Sequence, residues 1–212
     1  MMEKVSCEQL PQLFEGVAAM FAEKKEELCE MDARMVDGDL GLTMSKGFAA
    51  AKDEVTANPE TDLGQLLFKA GSAISAAVPS TMGTLMASGF LGVGKALKGK
   101  TVLDGADIAA FAQAYYDGVQ KRGKANPGER TLLDSLKPAA DKARELIDGG
   151  CDDIKVLTEA MYEAACAGVE ATKAMAPVYG KAFVHREKLK GVPDQGAIVG
   201  SLLYKALKET FA

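Results

Sequence analysis

The sequence predicts an all-α fold, a single-domain antiparallel bundle or barrel of about eight helices. Three observations support this prediction. Apolar residues recur at steps of three and four along most of the chain, no segment shows a clean period-two alternation bounded by turns, and the connections are mostly short. Short connections favour antiparallel neighbours. With 212 residues and neither a linker nor an internal repeat, the chain is expected to form one domain over residues 1–212.

The first predicted helix begins after Ser6, which forms a capping box with Gln9. Its apolar face consists of Leu10, Phe14, Val17 and Phe21. Four later segments repeat this spacing, at residues 63–74, 108–119, 154–165 and 199–206, and three more helices are predicted at residues 44–57, 80–97 and 132–147. Helix-breaking residues separate these segments, at Asn58-Pro59, Pro79, Gly99, Pro127-Gly128, Gly149-Gly150 and Gly191-Val192-Pro193.

Composition and charge argue against several functional classes. A net charge of -5 argues against general nucleic-acid binding, which needs a basic face. No apolar run reaches the roughly 18 residues of a membrane span, and the first residues include Glu3 and Glu8 rather than a basic signal region, so we expect a cytoplasmic protein without membrane contact. The four cysteines show no C-x-x-C pairing and are expected to be reduced.

Three aspartates, Asp32, Asp37 and Asp39, fall within eight residues, beside Gly38 and Gly41. Carboxylates that a turn brings to one point are suitable ligands for Mg²⁺, which also keeps water and substrate phosphates around it. A second interpretation remains open for this motif by itself, in which Asp37 or Asp39 caps the next helix and the other carboxylates are solvated.

Three further loops gather unusual residues. The segment 79–83, Pro-Ser-Thr-Met-Gly, precedes a predicted helix and could present N–H groups and hydroxyls to a phosphate, or Ser80 could simply cap the helix. The turn 126–134 could line a nucleotide base or only join two helices. The loop 191–197 leads into the last helix, with Asp194 as its expected cap.

Taken together, these loops resemble the L subunit of dihydroxyacetone kinase, the nucleotide-binding partner of a substrate-binding K subunit. The family motif L-D-A-x-x-G-D-G-D-x-G-x-N-M is similar, without a gap, to MDARMVDGDLGLTM at residues 31–44. Its G-D-K-T-M-L-D motif is similar to GERTLLD at residues 128–134, and two looser matches lie at residues 80–87 and 180–197. The resemblance covers nearly the whole chain in the right order.

The resemblance implies an eight-helix antiparallel barrel with ADP or ATP and two Mg²⁺ ions at one end. It implies that the metal ligands are Asp32, Asp37 and Asp39. The residues that it places around the nucleotide are Leu40, Gly41, Leu42, Thr43, Ser80, Thr81, Met82, Gly123, Leu132, Lys181, Asp194, Gln195 and Gly196, with Leu132 against the adenine. No catalytic side chain is implied, because phosphoryl transfer depends mainly on positioning and on neutralising charge.

The resemblance also implies partners: a K-type subunit that holds a short ketose, and a phosphohistidine protein of the phosphotransferase system that rephosphorylates the bound ADP. Two alternatives are an ATP-dependent kinase subunit for a related ketose such as a tetrulose, and a nucleotide-loaded regulatory module. Among the departures from the family pattern, Leu40 stands where members often carry His, Cys or Thr, and Thr43 replaces Asn, Met82 Ser, Lys181 Arg and Gln195 Pro. These changes leave the phosphate donor and the ketose open.

Overall fold

The structure is a computed structural model that describes residues 4–34, 37–179, 183 and 189–211. Within these residues it contains nine α-helices and two strands of two residues each. The helices are α1 (Leu10–Glu23), α2 (Lys25–Ala33), α3 (Leu40–Ala57), α4 (Leu63–Ala77), α5 (Thr81–Ala96), α6 (Gly105–Gly123), α7 (Leu133–Asp148), α8 (Ile154–Ala171) and α9 (Gln195–Thr210). The strands β1 (Val5–Ser6) and β2 (Val102–Leu103) pair antiparallel.

Eight of the helices form a closed ring. Helix α1 packs against α3, each helix from α3 to α8 packs against the next in the chain, and α9 returns to α1. Helix α2 continues α1 after a break at Lys24 and covers the start of α3. The predicted all-α barrel is therefore confirmed, and the ninth helix arises from one interruption in the first.

Neighbouring helices run in opposite directions around the ring. Near the start of α5, Leu85 lies against Gly123 at the end of α6. At one end of the pair formed by α8 and α9, the N–H of Asp194 donates to Thr172 Oγ1 at 2.8 Å. At the opposite end, Lys208 pairs with Glu159 at 2.8 Å. The starts of alternate helices therefore lie at the same end of the barrel.

The interior of the barrel is a packed apolar core. Phe90 of α5 lies at its centre, with ring centroids 5.5 Å from Phe14, 6.0 Å from Phe48 and 5.1 Å from Tyr115. These four rings come from four different helices and bury large apolar surfaces. The core thus fixes the relative positions of the helices whose ends carry the polar motifs.

Two helices begin earlier than the apolar spacing predicts. Helix α3 begins at Leu40 rather than residue 44, and α9 begins at Gln195, before the apolar spacing starts at residue 199 but directly after the predicted cap Asp194. In both cases the first helical turn contains motif residues whose apolar spacing is irregular. The predicted site therefore includes the first turns of these two helices, whose N–H groups have no acceptor within the helix. None of the helices in the described part of the chain is long and apolar enough to cross a membrane.

Close contact between α7 and α8 depends on a glycine. A Cβ atom added at Gly168 would lie 2.0 Å from the carbonyl oxygen of Asp134. We expect Gly168→Ala to lower the free energy of unfolding by about 1–3 kcal/mol, because the two helices would have to separate. Chemical denaturation followed by circular dichroism measures this change.

Gly149→Ala is the matched control, since Gly149 has φ -80° and its added Cβ would meet only ordinary contacts at 3.4 Å. It should leave stability unchanged or slightly raised. Equal losses in the two variants would contradict the close contact.

Candidate functional site

The starts of α3, α5, α7 and α9 meet at one end of the barrel. A Cβ atom added at Gly196 would lie 3.2 Å from the backbone nitrogen of Leu132 and 3.3 Å from Cε of Met82. The Gln195 side chain donates a hydrogen bond from Nε2 to Asp32 Oδ1, which links α9 to the turn before α3. The fold therefore gathers residues of all four sequence motifs.

Asp32 organises the turn that carries the other two aspartates. Its side chain is buried, and its Oδ2 accepts hydrogen bonds from the N–H groups of Gly38 at 2.9 Å and Asp39 at 3.1 Å. Gly38 has φ +77°, a conformation that favours glycine. Burial raises the pKa of the Asp32 carboxyl, while the hydrogen bonds from the backbone oppose that rise.

Asp37 and Asp39 are exposed to solvent at the same turn. Asp39 occupies the N-cap position of α3, but its side chain makes no capping hydrogen bond; only its carbonyl oxygen takes part, accepting from the N–H of Thr43 at 2.9 Å. The alternative interpretation of Asp39 as a side-chain cap is therefore wrong. Its carboxylate points to a surface where it can meet a ligand.

The three carboxylates are neighbours without being drawn together. Among the residues that the structure describes, no group of three or more His, Cys, Asp or Glu side chains is close enough to hold a metal ion. Asp32 directs its oxygens to N–H donors, and like-charge repulsion keeps ionised carboxylates apart. Gathering all three on one cation would therefore need a local rearrangement of the exposed pair.

At the start of α5, Ser80 acts as a helix cap. Its Oγ accepts a hydrogen bond from the N–H of Gly83 at 3.0 Å, as the simpler of the two interpretations of this segment predicts. Thr81 is exposed and Met82 is half-buried in the first turn. The N–H groups of these two residues have no acceptor within the helix, so they remain suited to an anion.

The residues predicted at the start of α3 divide between packing and exposure. Leu40 and Thr43 are buried, whereas Leu42 is 53% exposed. A Cβ atom at Gly41 would lie 1.9 Å from the carbonyl oxygen of Lys25, so this glycine allows α3 to approach α2. Its place in the motif thus has a packing reason that is independent of any ligand.

The remaining predicted residues lie around the other helix ends. Leu132 is buried before α7, with Cδ1 3.0 Å from the position of a Cβ at Gly200. Gly123 is the exposed last residue of α6, beside Leu85. Lys181 lies outside the described residues.

Asp194 is a buried helix cap. Its Oδ2 accepts from the N–H of Ala197 at 2.8 Å, as the sequence predicts for the start of α9. Burial raises the pKa of this carboxyl to about 6, although the nearby Arg130 charge and the N–H of Ala197 lower it.

Two buried polar residues at this end, Arg130 and Thr172, are not identified by the sequence reasoning. Arg130 has φ +58°, and its Nη1 donates to the carbonyl oxygens of Thr172 at 3.0 Å and Leu189 at 3.2 Å. It thereby joins the turn before α7 to the chain that leads into α9. A basic residue in a glycine-containing turn is typical of a surface position, so the local sequence carries no signal of this burial.

This end of the barrel can attract both anions and cations. The positive ends of four helix dipoles converge there and favour negatively charged groups. Asp37 and Asp39 add carboxylate oxygens at the rim, which favour a hard divalent cation. Phosphate groups accompanied by such a cation satisfy both requirements at once.

Comparison with known proteins gives one family. A family model described as the DAK2 domain matches residues 34–209. The ADP-binding subunit DhaL of the PEP-dependent dihydroxyacetone kinase 1 of Listeria innocua is 29% identical, over 89% of this chain and 88% of its own length. The triokinase/FMN cyclase of Homo sapiens is 31% identical over 93% of this chain, which spans about a third (34%) of that protein.

Among solved structures, the dihydroxyacetone kinase from C. freundii in complex with AMP-PNP and Mg²⁺ is similar with a TM-score of 0.70. The match covers 99% of this chain and 35% of that one at 24% identity. At this level of identity the likeness concerns the fold, and it agrees with the closed helical ring.

The raised pKa of Asp194 predicts a specific dependence of stability on pH. Between its ordinary pKa of 3.8 and about 6, the folded protein keeps a proton that the unfolded chain has lost. This contribution to stability is present below pH 3.8 and is lost as the pH rises through 6. Asp194→Asn keeps the cap but cannot ionise, so its stability relative to the wild type should rise by up to about 3 kcal/mol between pH 4 and pH 7.

Denaturant titrations at several pH values, analysed as variant minus wild type, measure this difference. Asp104→Asn is the control, since Asp104 is an exposed cap of α6 that accepts from the N–H of Asp107 at 2.9 Å. A pH-independent difference for Asp194→Asn would show that burial of this carboxyl does not control its ionisation.

Proposed function

This chain belongs to the DAK2 domain family, and from that membership we propose that it is the ADP/ATP-binding subunit of a dihydroxyacetone-kinase-type system. In this proposal it transfers a phosphoryl group to a short ketose that a separate K-type subunit holds. It works in the cytoplasm, and a phosphohistidine protein rephosphorylates its bound ADP. The observation that carries the proposal is the convergence of four helix starts beside the exposed Asp37 and Asp39.

The nucleotide phosphates would bind against the helix starts. The uncapped N–H groups of Thr81 and Met82 at the start of α5 face an end where the helix dipoles already favour negative charge. Because Gly196 has no side chain, the start of α9 packs closely against Leu132 and Met82, and these residues lie together at this site. The other members of the proposed nucleotide site are Leu40 to Thr43, Ser80, Gly123, Lys181, Asp194 and Gln195.

The carboxylates fit a magnesium site in their chemistry. Asp32 is anchored by backbone N–H groups, and Asp37 and Asp39 present solvent-exposed carboxylates at the same turn. We propose that these three residues hold two Mg²⁺ ions. When bound, Mg²⁺ neutralises charge on the transferred phosphoryl group. The chain itself orients the nucleotide and keeps the metal ligands in place.

The choice of phosphate donor rests on the similarity to the Listeria innocua subunit. That relative is a subunit of a PEP-dependent kinase, and the similarity extends over most of both chains. In the longer human relative the matching region is only 34% of the protein. The proposal of a separate K-type part follows this relative, which is itself described as an ADP-binding subunit.

The proposed site should bind a nucleotide together with its cation. Calorimetric titration should detect binding of MgADP, and EDTA should abolish it, because the phosphates need the cation to lie beside the carboxylates. Asp39→Asn should weaken MgADP binding by roughly tenfold or more, since it removes an exposed ligand charge. The helical circular dichroism spectrum should not change, because the Asp39 side chain makes no capping hydrogen bond.

Asp53→Asn is the matched control, because Asp53 lies exposed in the same helix, where it forms a surface ion pair with Lys52 at 3.2 Å. It should bind MgADP like the wild type. The absence of heat and of a thermal shift at millimolar MgADP would overturn the proposed nucleotide site.

The proposed function requires a partner subunit to hold the ketose. The chain alone should not phosphorylate dihydroxyacetone, and turnover should appear when a K-type subunit and a phosphohistidine donor are added. Mass spectrometry of the ketose phosphate measures this. Turnover by the chain alone would refute the two-subunit mechanism, and turnover with ATP but not with the phosphohistidine protein would refute the proposed donor.

A further inference from the structure

Asp32 is a buried carboxylate whose hydrogen-bond donors are neutral. It is 4% exposed, and among the described residues it accepts hydrogen bonds from the backbone N–H groups of the turn 38–40 and from the side-chain amide of Gln195. Among the ion pairs of the described residues, none includes Asp32. Neutral donors stabilise an ionised carboxylate without cancelling its charge. Within the described part of the chain, no cationic side chain pairs with this carboxylate when it is ionised.

Gln195 has one amide atom in use and the other without a partner. Its Nε2 donates to Asp32 Oδ1, while its Oε1 is buried and accepts no hydrogen bond within the described part of the chain. A buried acceptor without a partner is unfavourable, because it has lost the hydrogen bonds that water gives it in the unfolded chain. Because both atoms belong to one planar amide, Oε1 also lies beside Asp32. Within the described residues, Gln195 Oε1 therefore lacks a hydrogen-bond donor, and the neighbouring Asp32 carboxylate forms no ion pair.

We propose that Gln195 is a positioning residue for the divalent-cation site. Its amide nitrogen holds the Asp32 carboxylate in one orientation, and its amide oxygen accepts a hydrogen bond from water bound to the cation. This inference rests on the proposed function, because it concerns the same cation. It adds a residue from α9, 163 positions away in the chain, to a site otherwise built around the turn before α3.

The geometry of the α9 start supplies a variant that should fold. Gln195 is the first residue of α9, where proline is well tolerated, and Asp194 before it is extended, with φ -72° and ψ 129°, as a residue preceding proline prefers. The cap by Asp194 uses the N–H of Ala197 and does not involve Gln195. Gln195→Pro thus removes the amide and leaves the helix start intact.

A second variant separates the two parts of the amide. Gln195→Glu keeps the size of the side chain and an oxygen but replaces the donor nitrogen with a second negative charge beside Asp32. Like-charge repulsion should lower stability without metal, and the additional charge should strengthen cation binding. A residue with only a structural role would not change cation affinity in opposite directions in these two variants.

The experiment measures Mn²⁺ binding to the nucleotide-free full chain by electron paramagnetic resonance, together with thermal unfolding in EDTA. Gln195→Pro should raise the Kd for Mn²⁺ roughly tenfold, the usual effect of removing a residue that orients a metal ligand. Gln195→Glu should lower that Kd and also lower the melting temperature in EDTA. Equal Kd values for Gln195→Pro and wild type would overturn the inference while leaving the metal site in place.

Gln65 provides the matched control at the opposite end of the barrel. Its Nε2 contacts Asp62 at 3.4 Å in the first turn of α4, the same pair of residue types at a helix start. Gln65→Ala and Gln65→Glu should leave the Kd for Mn²⁺ unchanged. If the wild-type protein binds no Mn²⁺, the proposed cation site itself fails, and the positioning role of Gln195 fails with it.

Discussion

Ring closure by an even number of antiparallel helices is the constraint on which the site depends. Eight helices that alternate in direction and close on themselves place four helix starts at each end. At one of these ends Leu132 before α7 and Met82 of α5 lie within a few ångströms of Gly196 in α9, and Gln195 contacts Asp32 near the start of α3. The aromatic contacts around Phe90 hold the ring together from inside, so the polar end is built on a rigid support.

The acidic residues at this end have two distinct roles. Asp32, Asp134 and Asp194 are buried, and each accepts hydrogen bonds from backbone N–H groups that would otherwise lack partners. Asp37 and Asp39 are exposed at the rim. The buried carboxylates shape the loops, and the exposed ones lie where solvent and ligands can reach them. This division explains how one acidic end can be both stably folded and open to a cation.

This end of the barrel carries helix starts, which favour anions, and exposed carboxylates, which favour cations. The helix dipoles act on a ligand placed along their axes, within about one turn of each start. The exposed carboxylates lie at the turn before α3. A phosphate chain that carries its own divalent cation matches this pattern, whereas a bare anion or a bare cation matches only half of it.

The sequence by itself determined the features that depend on residues close together in the chain. The spacing of apolar residues predicted the helices and Asp194 was predicted as a cap, while capping was one of two interpretations of Ser80; a cap is a local feature because it acts over three residues. The motif resemblance covered the positions proposed for the nucleotide and metal.

The tertiary structure decided what depends on ring closure. It showed that Asp32, not Asp39, receives the N–H groups of the turn, that Gly41 serves the contact with α2, and that Arg130 is buried. The contact between Gln195 and Asp32 joins residues 163 positions apart. No local pattern encodes such a pair, because its formation requires α9 to complete the ring.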